Sequence, residues 1–576
     1  RNGTKIVAFN PVKTPLADGI IDEFYPIKPG TDLALALAMI KIILDGKLYK
    51  ADFLQKYSDS AALIDGESKK HLTDKDGKWL AWCSTHKRPE PIDSCDKPAL
   101  DGGPFTFELD GKGITAKTVL DLMKENVKEC TPEWAEKICE VPAKDIERIT
   151  KEFAQAAPTV CIPNLKRDPA GPNYANSWRL MHSLNTLQTL TGCLDHEGGV
   201  LFLSGVKIPW LEDTDPLVKP YPEQPKKAID YRTEYPVTNE IYRNKDFSAP
   251  GHYGMVGHGL YHSDQVKVVV FKGPHRGMHA LIQPQMTEAA LEKMDLVLDW
   301  NMYPDDLAYW CDYLLPAPHQ YEEGKLDIRQ YYPKWPCLVG GEPVQKAPGD
   351  VIGWGGIAKK IGFALAPEYW TTDGSNNPDK IIKGDMNNTA LKAVGAAKDS
   401  EDFMKNKNAI WIDKRAYPNY QTLKEIGYGR PNGRVRMYID EFVEEKHEGL
   451  PKWAPRWSAS EGEYKFSLVV TRAGWHMHAD PNFIDNPVIN MLSRKNHVDS
   501  AWVNPAAAKE LGLQEGDEVV LTTNPKLMPE LPRPVKTKIH LTERVARKDC
   551  VMIFHGIGHR SKWLKNGVWG YRDGDL

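Results

Sequence analysis

The chain has 576 residues, of which 41% are hydrophobic and 26% are charged. This composition can form a sizeable core, and it excludes intrinsic disorder and a collagen-like chain. The 74 Lys and Arg residues and the 78 Asp and Glu residues give a net charge of −4, so the basic excess of a nucleic-acid-binding protein is missing. At about 150 residues per domain, the length predicts three or four domains or one large composite body.

No stretch of the sequence reaches the roughly 20 apolar residues that span a bilayer, and the first residues lack the apolar segment of a signal peptide. The chain starts with Arg1 and runs at once into a strand-like segment, so we expect that an N-terminal part of the protein is missing. Nine cysteines are widely spaced, without a Cys-x-x-Cys motif. We interpret most of them as scattered core thiols and expect neither a zinc knuckle nor an iron–sulfur ligand run.

The first third of the sequence alternates strand-like and helix-like segments. Residues 60–115 are polar and rich in Lys, Asp and Gly, which predicts a polar insertion or long loop. Strands are predicted over residues 5–9, 20–27 and 159–163, and helices over residues 33–44, 141–156 and 177–190, with a further helix beginning at Thr131-Pro132. This order of elements indicates an α/β layer of the kind that binds nucleotides.

The α/β alternation returns in the middle of the chain and gives way to short strands near the C-terminus. Residues 205–250 and 367–415 are expected to be irregular. Strands are predicted over residues 266–271 and 296–299 with a helix over 287–294 between them, and then over residues 466–470, 501–504, 518–523, 535–541 and 551–554. The last five strands indicate a β-rich domain of about 115 residues, which we expect to be a barrel.

Two turns at predicted strand ends are candidate ligand sites. Pro29-Gly30-Thr31-Asp32 opens a predicted helix, where backbone N–H groups can bind an anion and Asp32 can accept a hydrogen bond from a ribose or a guanine. Capping of the helix explains the same residues. Gly273-Pro274-His275 follows a hydrophobic strand and is either a second nucleotide turn or an ordinary strand-end turn.

Several polar groups outside these turns are also candidates. Lys166-Arg167-Asp168 follows a predicted strand and is either a solvated loop or a group that faces a substrate. Asp305-Asp306 and Glu322-Glu323 are interpreted as surface charges. No Gly-x-Ser-x-Gly elbow, Walker loop or Gly-x-Gly-x-x-Gly motif occurs, which argues against simple hydrolases, NTPases and ordinary dinucleotide dehydrogenases.

The histidines near the C-terminus suggest a metal site at first sight. They lie in Trp475-His476-Met477-His478 and at His555 and His559. Two glycines between His555 and His559 oppose the helical presentation that a His-x-x-x-His metal site needs. Hydrogen bonding to a polar ligand or to loop backbone is therefore the favoured interpretation.

Five longer segments follow one another in a distinctive order. They are Lys5-Ile-Val-Ala-Phe-Asn-Pro11, the segment from Tyr25 through Pro29-Gly30-Thr31-Asp32 to Ile40, the segment from Leu187 to Gly199, Trp310-Cys-Asp-Tyr-Leu-Leu-Pro316, and the segment from Val503 to Val519. In this order the sequence resembles the molybdopterin oxidoreductases of the dimethyl-sulfoxide-reductase type. Asn10 stands where that family has Asp, and Val12 stands where it has Arg.

The resemblance implies Rossmann-like α/β layers around a pterin cofactor and a C-terminal β-barrel. It divides the chain into an N-terminally incomplete α/β cofactor-binding domain (1–170, with the polar insertion 60–115), a second α/β domain (171–455) and a barrel that binds the pterin dinucleotide (456–576). Molybdenum or tungsten is expected with two molybdopterin guanine dinucleotides. The protein ligand of the metal and a [4Fe–4S] cluster are expected upstream of Arg1.

Residues are assigned to this cofactor by the same resemblance. One guanine dinucleotide arm is expected at Asn10, Pro29, Gly30, Thr31 and Asp32, and the other at Gly273, Pro274, His275, Asp299 and Asn301. The barrel is expected to cover the pterins with Thr471, Arg472, Trp475, His476 and His478, with His555 and His559 as further candidates. Lys166, Arg167 and Asp168 are expected on the substrate side of the metal, as the catalytic residues.

The implied function is that of the catalytic subunit of a respiratory enzyme that transfers an oxygen or sulfur atom on a sulfur or arsenic oxyanion. The thiosulfate, polysulfide and arsenate reductase branch is the nearest. A formate dehydrogenase, a non-redox hydratase or transhydroxylase, and a cofactor-free structural homologue are the alternatives. An iron–sulfur electron-transfer subunit and a membrane anchor subunit are the expected partners. The expected location is the periplasm or the outer face of the cytoplasmic membrane, with the cytoplasm as the alternative.

Overall fold

The structure is a computed structural model. It describes residues 3–13, 19–163, 177–200, 260–261, 266–272, 284–319, 321–323, 325–329, 337–381, 398, 402–403, 405, 409–411, 431–444, 447–454, 464–475, 486–524, 534–555, 557–560 and 568–569. No helix among these residues is both long enough and apolar enough to cross a membrane.

The N-terminal part is an α/β unit built around one buried helix. Strands β1 (Val7–Phe9) and β2 (Glu23–Tyr25) pair in parallel, and helix α1 (Asp32–Asp45) follows them. Apolar residues occupy every side of α1, so a buried position suits this helix. The helices that surround or follow it are α2 (Ala51–Tyr57), α3 (Val119–Asn126), α4 (Pro132–Cys139), α5 (Ala143–Gln155) and α6 (Ser177–Leu190). The elements β1, β2, α1, α4, α5 and α6 agree with the sequence-based prediction. Helices α2 and α3 were not predicted, and residues 159–163 form no strand.

The polar segment between α2 and α3 is folded into strands, so the expectation of a long loop was wrong. The strands are β3 (Leu63–Asp65), β4 (Leu80–Cys83), β5 (Arg88–Pro91), β6 (Phe105–Leu109) and β7 (Lys112–Thr118). They form one sheet in the order β3-β7-β6 and one hairpin of β4 and β5. Leu63, Leu80 and Ala116 form a small core of this segment, while other apolar side chains join the core around α1: Ile64, Trp79, Ala81 and Ile92. Its high content of charged residues hid the alternating pattern of the strands.

The middle of the chain contains a parallel three-stranded sheet. Its strands are β8 (Val268–Lys272), β9 (Leu296–Asn301) and β10 (Tyr313–Pro316), with β9 in the centre and helix α7 (Pro284–Leu291) between β8 and β9 in sequence. An antiparallel sheet and further helices follow: β11 (Lys325–Arg329), β12 (Cys337–Gly341), α8 (Trp354–Leu365), α9 (Pro367–Trp370), β13 (Ala409–Trp411) and α10 (Asp440–Glu444).

The segment that contains α10 returns to the first core, where Met437, Tyr438 and Leu450 are buried against α1 and its neighbours. The buried Asp59 carboxylate accepts hydrogen bonds from the backbone N–H groups of Met437 and Tyr438. The core around α1 therefore contains residues from both sides of position 170. The domain limits predicted from the sequence stay a prediction.

The C-terminal part is a mixed five-stranded sheet with two helices. Its elements are β14 (Ser467–Thr471), α11 (Pro487–Lys495), β15 (Ser500–Val503), α12 (Pro505–Leu511), β16 (Glu518–Leu521), β17 (Val535–Leu541) and β18 (Cys550–Phe554), followed by the small pair β19 (His559–Arg560) and β20 (Val568–Trp569). The strand order is β14-β18-β15-β17-β16. Within the described residues β14 and β16 are separate edges, so the sheet does not close into a barrel there.

The N-terminal segment joins the C-terminal sheet directly. Val12 forms an antiparallel bridge with Val545 and is 5% exposed within the core of the C-terminal sheet. The Lys13 N–H donates to the Arg544 carbonyl at 2.7 Å, and the Ala546 N–H donates to the Pro11 carbonyl at 3.2 Å. The segment that follows Asn10 therefore attaches the N-terminal part of the chain to the C-terminal sheet.

Candidate functional site

Asn10 and the turn before α1 lie at the same edge of the first parallel pair. Asn10 follows β1, and its N–H donates to the carbonyl of Tyr25, the last residue of β2. Its Oδ1 accepts from the Val12 N–H at 3.0 Å, which orients the segment that then bridges to Val545. Carboxyl ends of parallel strands are where α/β sheets bind their ligands. The structure therefore places Asn10 and the Pro29–Asp32 turn after the same end of this strand pair, and their role in cofactor binding stays a prediction.

The start of α1 leaves backbone N–H groups for a ligand. Gly30 has φ +76°, a left-handed conformation that glycine adopts without strain. Thr31 is the N-cap residue, but its hydroxyl donates to the Lys28 carbonyl at 2.6 Å and makes no capping bond to the helix. The first turn of a helix carries N–H groups without intrahelical partners and a partial positive charge. This end of α1 is suited to an anion such as a phosphate.

Asp32 stands in the first turn of α1, next to this end. Burial raises the pKa of Asp32 to about 6, while a hydrogen bond from its own backbone N–H acts in the opposite direction. Ionisation of this carboxyl group is therefore sensitive to a ligand that brings hydrogen-bond donors. Such a raised pKa at a strand-to-helix turn is typical of a binding site.

A second candidate edge lies at the carboxyl end of the parallel sheet β8-β9-β10. Asp299 and Asn301 are both buried near the end of the central strand β9. The Asn301 Nδ2 donates to Asp305 Oδ2 at 3.0 Å and lies 3.5 Å from Asp299 Oδ2. Asp305 and Asp306 are 1% and 4% exposed, so their interpretation as surface charges was wrong. Asp305 is the N-cap residue of the 3₁₀ turn Asp306–Tyr309, where its side chain accepts a hydrogen bond from the Leu307 N–H.

Asp299 carries an unsatisfied buried oxygen. Among the described residues, no hydrogen-bond partner reaches Asp299 Oδ1. Burial raises the pKa of Asp299 to about 7, against the effect of Asn301, and burial together with Asp299 raises the pKa of Asp305 to about 8. A buried acceptor without a partner costs about 1–3 kcal/mol, which a ligand with N–H donors would recover. The arrangement is suited to a base or ring that presents such donors.

Lys272 and two tryptophans border this second edge, and sequence reasoning missed them. Lys272 Nζ lies 5.9 Å from the ring centroid of Trp300 and 5.6 Å from that of Trp354. The Trp300 indole N–H donates to the Ile352 carbonyl at 2.9 Å, which fixes the ring. The position of Lys272 at the end of a strand was the available signal. The predicted turn Gly273-Pro274-His275 lies outside the described residues.

The C-terminal sheet presents a third edge. Thr471 ends β14 and pairs with Phe554 of β18, and the His555 N–H donates to the Thr471 carbonyl at 2.7 Å. Arg472 follows on the same edge, where it is exposed. The Trp475 indole N–H donates to Ser493 Oγ at 3.0 Å. The predicted His476 and His478 lie outside the described residues, and for His559 only the backbone is described.

Arg547 is a further residue that the sequence did not single out. Its guanidinium group donates to the Pro26 carbonyl at 3.2 Å and forms ion pairs with Glu140 at 2.8 Å and Asp549 at 2.7 Å. It therefore connects the C-terminal sheet to the segment that leads into the Pro29–Asp32 turn. No local pattern identifies it, because its partners are distant in sequence. The predicted catalytic residues Lys166, Arg167 and Asp168 lie outside the described residues.

Comparisons with known proteins agree with this picture. No family model matches the chain. The chain is 23% identical to the molybdopterin-containing subunit of thiosulfate reductase from Salmonella typhimurium, with 90% of this chain and 61% of the relative covered. It is 23% identical to the molybdopterin-containing subunit of arsenate respiratory reductase from Chrysiogenes arsenatis, with 96% and 66% covered.

Two further comparisons bear on relationship and fold. The alpha subunit of perchlorate reductase from Dechloromonas aromatica is 26% identical, over 57% of this chain and 40% of the relative, so the chain spans only part of the length of these relatives. The solved structure of acetylene hydratase from Pelobacter acetylenicus matches with a TM-score of 0.62 at 17% identity, over 100% of this chain and 70% of that one. The mixed α/β fold is therefore similar to that of this acetylene hydratase. The order of motifs, the fold and the named relatives together identify the chain as a homologue of the molybdopterin-containing catalytic subunits of the dimethyl-sulfoxide-reductase family.

Proposed function

We propose that the chain is part of the catalytic subunit of a molybdenum or tungsten oxidoreductase that transfers an oxygen or sulfur atom on a sulfur or arsenic oxyanion. Relatives named as thiosulfate, arsenate and tetrathionate reductases support this substrate class. The activity is proposed for the longer protein to which the chain corresponds, because the chain spans 61% of the thiosulfate reductase subunit.

One Asp299 oxygen is buried and has no hydrogen-bond partner among the described residues, and this observation carries the cofactor assignment. It fits a guanine dinucleotide form of the cofactor, because a guanine offers two kinds of N–H donor to a carboxylate. Asp299 and Asn301 would hold one guanine, and Asn10 and Asp32 would contact the other arm. The N–H groups in the first turn of α1 would bind its phosphates. When bound, the metal supplies the redox chemistry, and the chain binds and orients it.

The C-terminal sheet would cover the pterins from the edge formed by Thr471, Arg472 and His555. Arg472 suits a pyrophosphate because its planar guanidinium donates two parallel hydrogen bonds. We propose that strands beyond the described residues complete this sheet as a barrel. A [4Fe–4S] cluster and the protein ligand of the metal belong, on this proposal, to a segment before Arg1.

Lys166, Arg167 and Asp168 are proposed on the substrate side of the metal. Two adjacent cations attract an oxyanion and orient it by charge-assisted hydrogen bonds. Electrons would reach the site through an iron–sulfur subunit, with a membrane anchor subunit in the same complex. The periplasm is the proposed location.

Metal and pterin analysis of the purified full-length protein tests the cofactor assignment. We expect molybdenum or tungsten and guanine nucleotide in the wild type, and at least about tenfold less of both in Asp299→Asn, since an amide presents a donor to the guanine N–H groups. The exposed Asp295, four residues away, supplies the matched control Asp295→Asn, which should retain the cofactor. Absence of metal and guanine from the wild type would support the cofactor-free alternative.

Steady-state kinetics with thiosulfate, tetrathionate, arsenate and formate test the substrate class. We expect the wild-type protein to turn over an oxyanion. The Arg167→Ala variant should keep its metal but lose about 10- to 100-fold in kcat/KM for that oxyanion, which is the size expected for a lost charged hydrogen bond. Turnover of formate alone would favour a formate dehydrogenase. Hydration without electron transfer would favour the hydratase alternative.

A further inference from the structure

The folded insertion between α2 and α3 contains a compact group of metal-type donors. Cys83 ends β4, and the chain turns through residues 84–87 into β5, with the Lys87 N–H donating to the Cys83 carbonyl. After β5 the chain comes back alongside β4, where the Ser84 N–H donates to the Lys97 carbonyl. Three stretches of backbone therefore surround the Cys83 side chain: the end of β4, the hairpin turn and the segment of Cys95 and Asp96.

Cys83 Sγ is the centre of this group. It lies 3.1 Å from Asp96 Oδ1 and 3.5 Å from His86 Nδ1. Two sets of donors share it: the donor atoms of Cys83, Cys95 and Asp96 lie within 4.8 Å of one another, and so do those of Cys83, His86 and Glu90. An ion bound to Cys83 Sγ therefore has either a second sulfur and a carboxylate beside it, from Cys95 and Asp96, or an imidazole nitrogen and a carboxylate, from His86 and Glu90. In a tetrahedral zinc site with Zn–S bonds of about 2.3 Å, neighbouring ligands are about 3.8 Å apart, a spacing that the 4.8 Å limit within each set admits.

Burial and the surrounding contacts favour a built site over a chance cluster. Cys83 is fully buried and Cys95 is 9% exposed, although both lie in a segment with few apolar residues. The Thr85 hydroxyl donates to Asp96 Oδ2 at 3.0 Å and fixes that carboxylate from the side away from the sulfur. Arg88 Nε donates to Glu90 Oε1 at 2.7 Å, which holds Glu90 next to His86. Ligands fixed in this way by neighbouring groups are characteristic of metal centres.

We propose that Cys83, Cys95 and Asp96 bind one structural Zn²⁺ ion and that the half-exposed His86 side chain turns from Glu90 to supply the fourth ligand. Two thiolates, one imidazole and one carboxylate form a closed tetrahedral set, with no open position for a substrate. Binding transfers the two thiol protons to solvent and changes no oxidation state. The ion cross-links the β4–β5 hairpin to the segment after it. This suits an insertion whose own core is small, because small units often need a metal or a disulfide for stability.

Zinc analysis of the full-length protein, kept reduced during purification, provides the first test. We expect one Zn²⁺ per chain in the wild type, lost in Cys83→Ser and in Cys95→Ser. The exposed Cys161 lies outside the group, so Cys161→Ser is the matched control and should keep the ion. Zinc that is absent from the wild type, or equal in all four proteins, would overturn the proposal. A Cys83–Cys95 disulfide in the peptide map of the native protein would overturn it too.

Cobalt substitution and His86→Ala keep the test informative even where a cysteine variant fails to fold. The His86 side chain is 49% exposed, so its truncation should leave the fold intact. We expect Co²⁺ in the wild type to show sulfur-to-metal charge-transfer bands and the intense visible bands of tetrahedral cobalt. Loss of a direct ligand in His86→Ala should weaken zinc binding more than the roughly 10- to 100-fold loss that removal of a supporting partner causes. Unchanged affinity in His86→Ala, or octahedral cobalt without sulfur bands, would refute the site.

Discussion

At the scale of single residues, the candidate cofactor edges contain carboxyl groups that folding makes less acidic. Asp32, Asp299 and Asp305 all have a raised pKa, and burial is the main cause for each. For Asp299, burial raises the pKa, and the hydrogen bond from Asn301 is the one interaction that lowers it. Such groups persist at binding sites because the ligand supplies the missing interactions.

Asp299 should therefore destabilise the cofactor-free chain as the pH rises. Its pKa is about 7 in the folded state and near the ordinary 3.8 in the unfolded state, so the folded state binds more protons between these values and stability falls as the pH increases through that range. In Asp299→Asn we expect stability to fall less with increasing pH than in the wild type. Its free energy of unfolding should be about 1–3 kcal/mol higher than that of the wild type at about pH 8.

Chemical denaturation of the cofactor-free protein at about pH 5 and about pH 8 measures this difference. Asp295→Asn changes an exposed carboxylate and should alter stability by less than about 0.5 kcal/mol at both values. An Asp299→Asn protein with the same pH dependence as the wild type would show that Asp299 does not carry an energetic cost. The variant thus separates stability from cofactor retention, which it should lower.

At the scale of elements, local sequence signals explain several helices fully. Thr131 accepts a hydrogen bond from the Trp134 N–H at 3.1 Å and caps α4, with Pro132 as its first residue. Helix α12 begins in the same way at Asn504-Pro505 and ends at Gly512, which has φ +71°. Capping residues, N1 proline and a left-handed glycine act within a few residues of each other, so the sequence alone shows them.

The two asparagine caps of the C-terminal part should differ in their contribution to stability. Asn504 Oδ1 accepts from the Ala506 N–H, and its buried Nδ2 donates to the Val545 carbonyl, both at 2.9 Å. Asn486 only caps α11, at an exposed position, by accepting from the Val488 and Ile489 N–H groups. We expect losses of about 2–3 kcal/mol for Asn504→Ala and about 1 kcal/mol for Asn486→Ala.

Denaturant unfolding of both variants, with hydrogen exchange at residues 543–547, measures the difference. Faster exchange around Val545 is expected for Asn504→Ala alone, because only Asn504 reaches that strand connection. Equal losses of stability in the two variants would mean that the bond to Val545 contributes nothing beyond capping.

At the scale of the whole molecule, distant segments meet at the junction between the N-terminal unit and the C-terminal sheet. Val12, Lys13 and Pro11 bond to residues 544–546, and Arg547 reaches Pro26 and Glu140. The Arg547 side chain is 10% exposed and has three partners, whereas the neighbouring Lys548 is 59% exposed and pairs with Glu510. Removing one partner of a buried ion pair costs more than removing one of an exposed pair, because the remaining charge loses its compensation.

Arg547→Ala should therefore weaken this junction, while Lys548→Ala should not. We expect a loss of about 1–3 kcal/mol for Arg547→Ala and less than about 0.5 kcal/mol for Lys548→Ala. Hydrogen exchange at the Lys13 and Ala546 amides, which cross the junction, reports the local effect. Unchanged exchange at both amides in Arg547→Ala would show that the backbone bridge holds the two parts together without this side chain.

The elements that the sequence predicted are those with a clear local pattern of apolar residues. Helix α1 and the five strands of the C-terminal sheet were predicted closely, because long apolar or alternating patterns identify them. The strands between residues 63 and 118 were missed, since their buried side chains are few and lie among charged ones. The interpretation of the cysteines as scattered core thiols did not anticipate the group around Cys83, because His86 and Cys95 join it only through the hairpin and the returning segment.

The sequence by itself indicated the relationship to the molybdopterin oxidoreductases, the α/β alternation and the turn before α1. It also supplied the candidate cofactor residues, whose roles stay predictions. Each of these depends on residue types at short, ordered spacings. Only the tertiary structure showed that Asp305 and Asp306 are buried and that Val12 lies in the core of the C-terminal sheet. It also showed that one buried Asp299 oxygen has no hydrogen-bond partner among the described residues. Burial and hydrogen-bond satisfaction depend on which distant segments pack together, and a one-dimensional pattern does not contain that information.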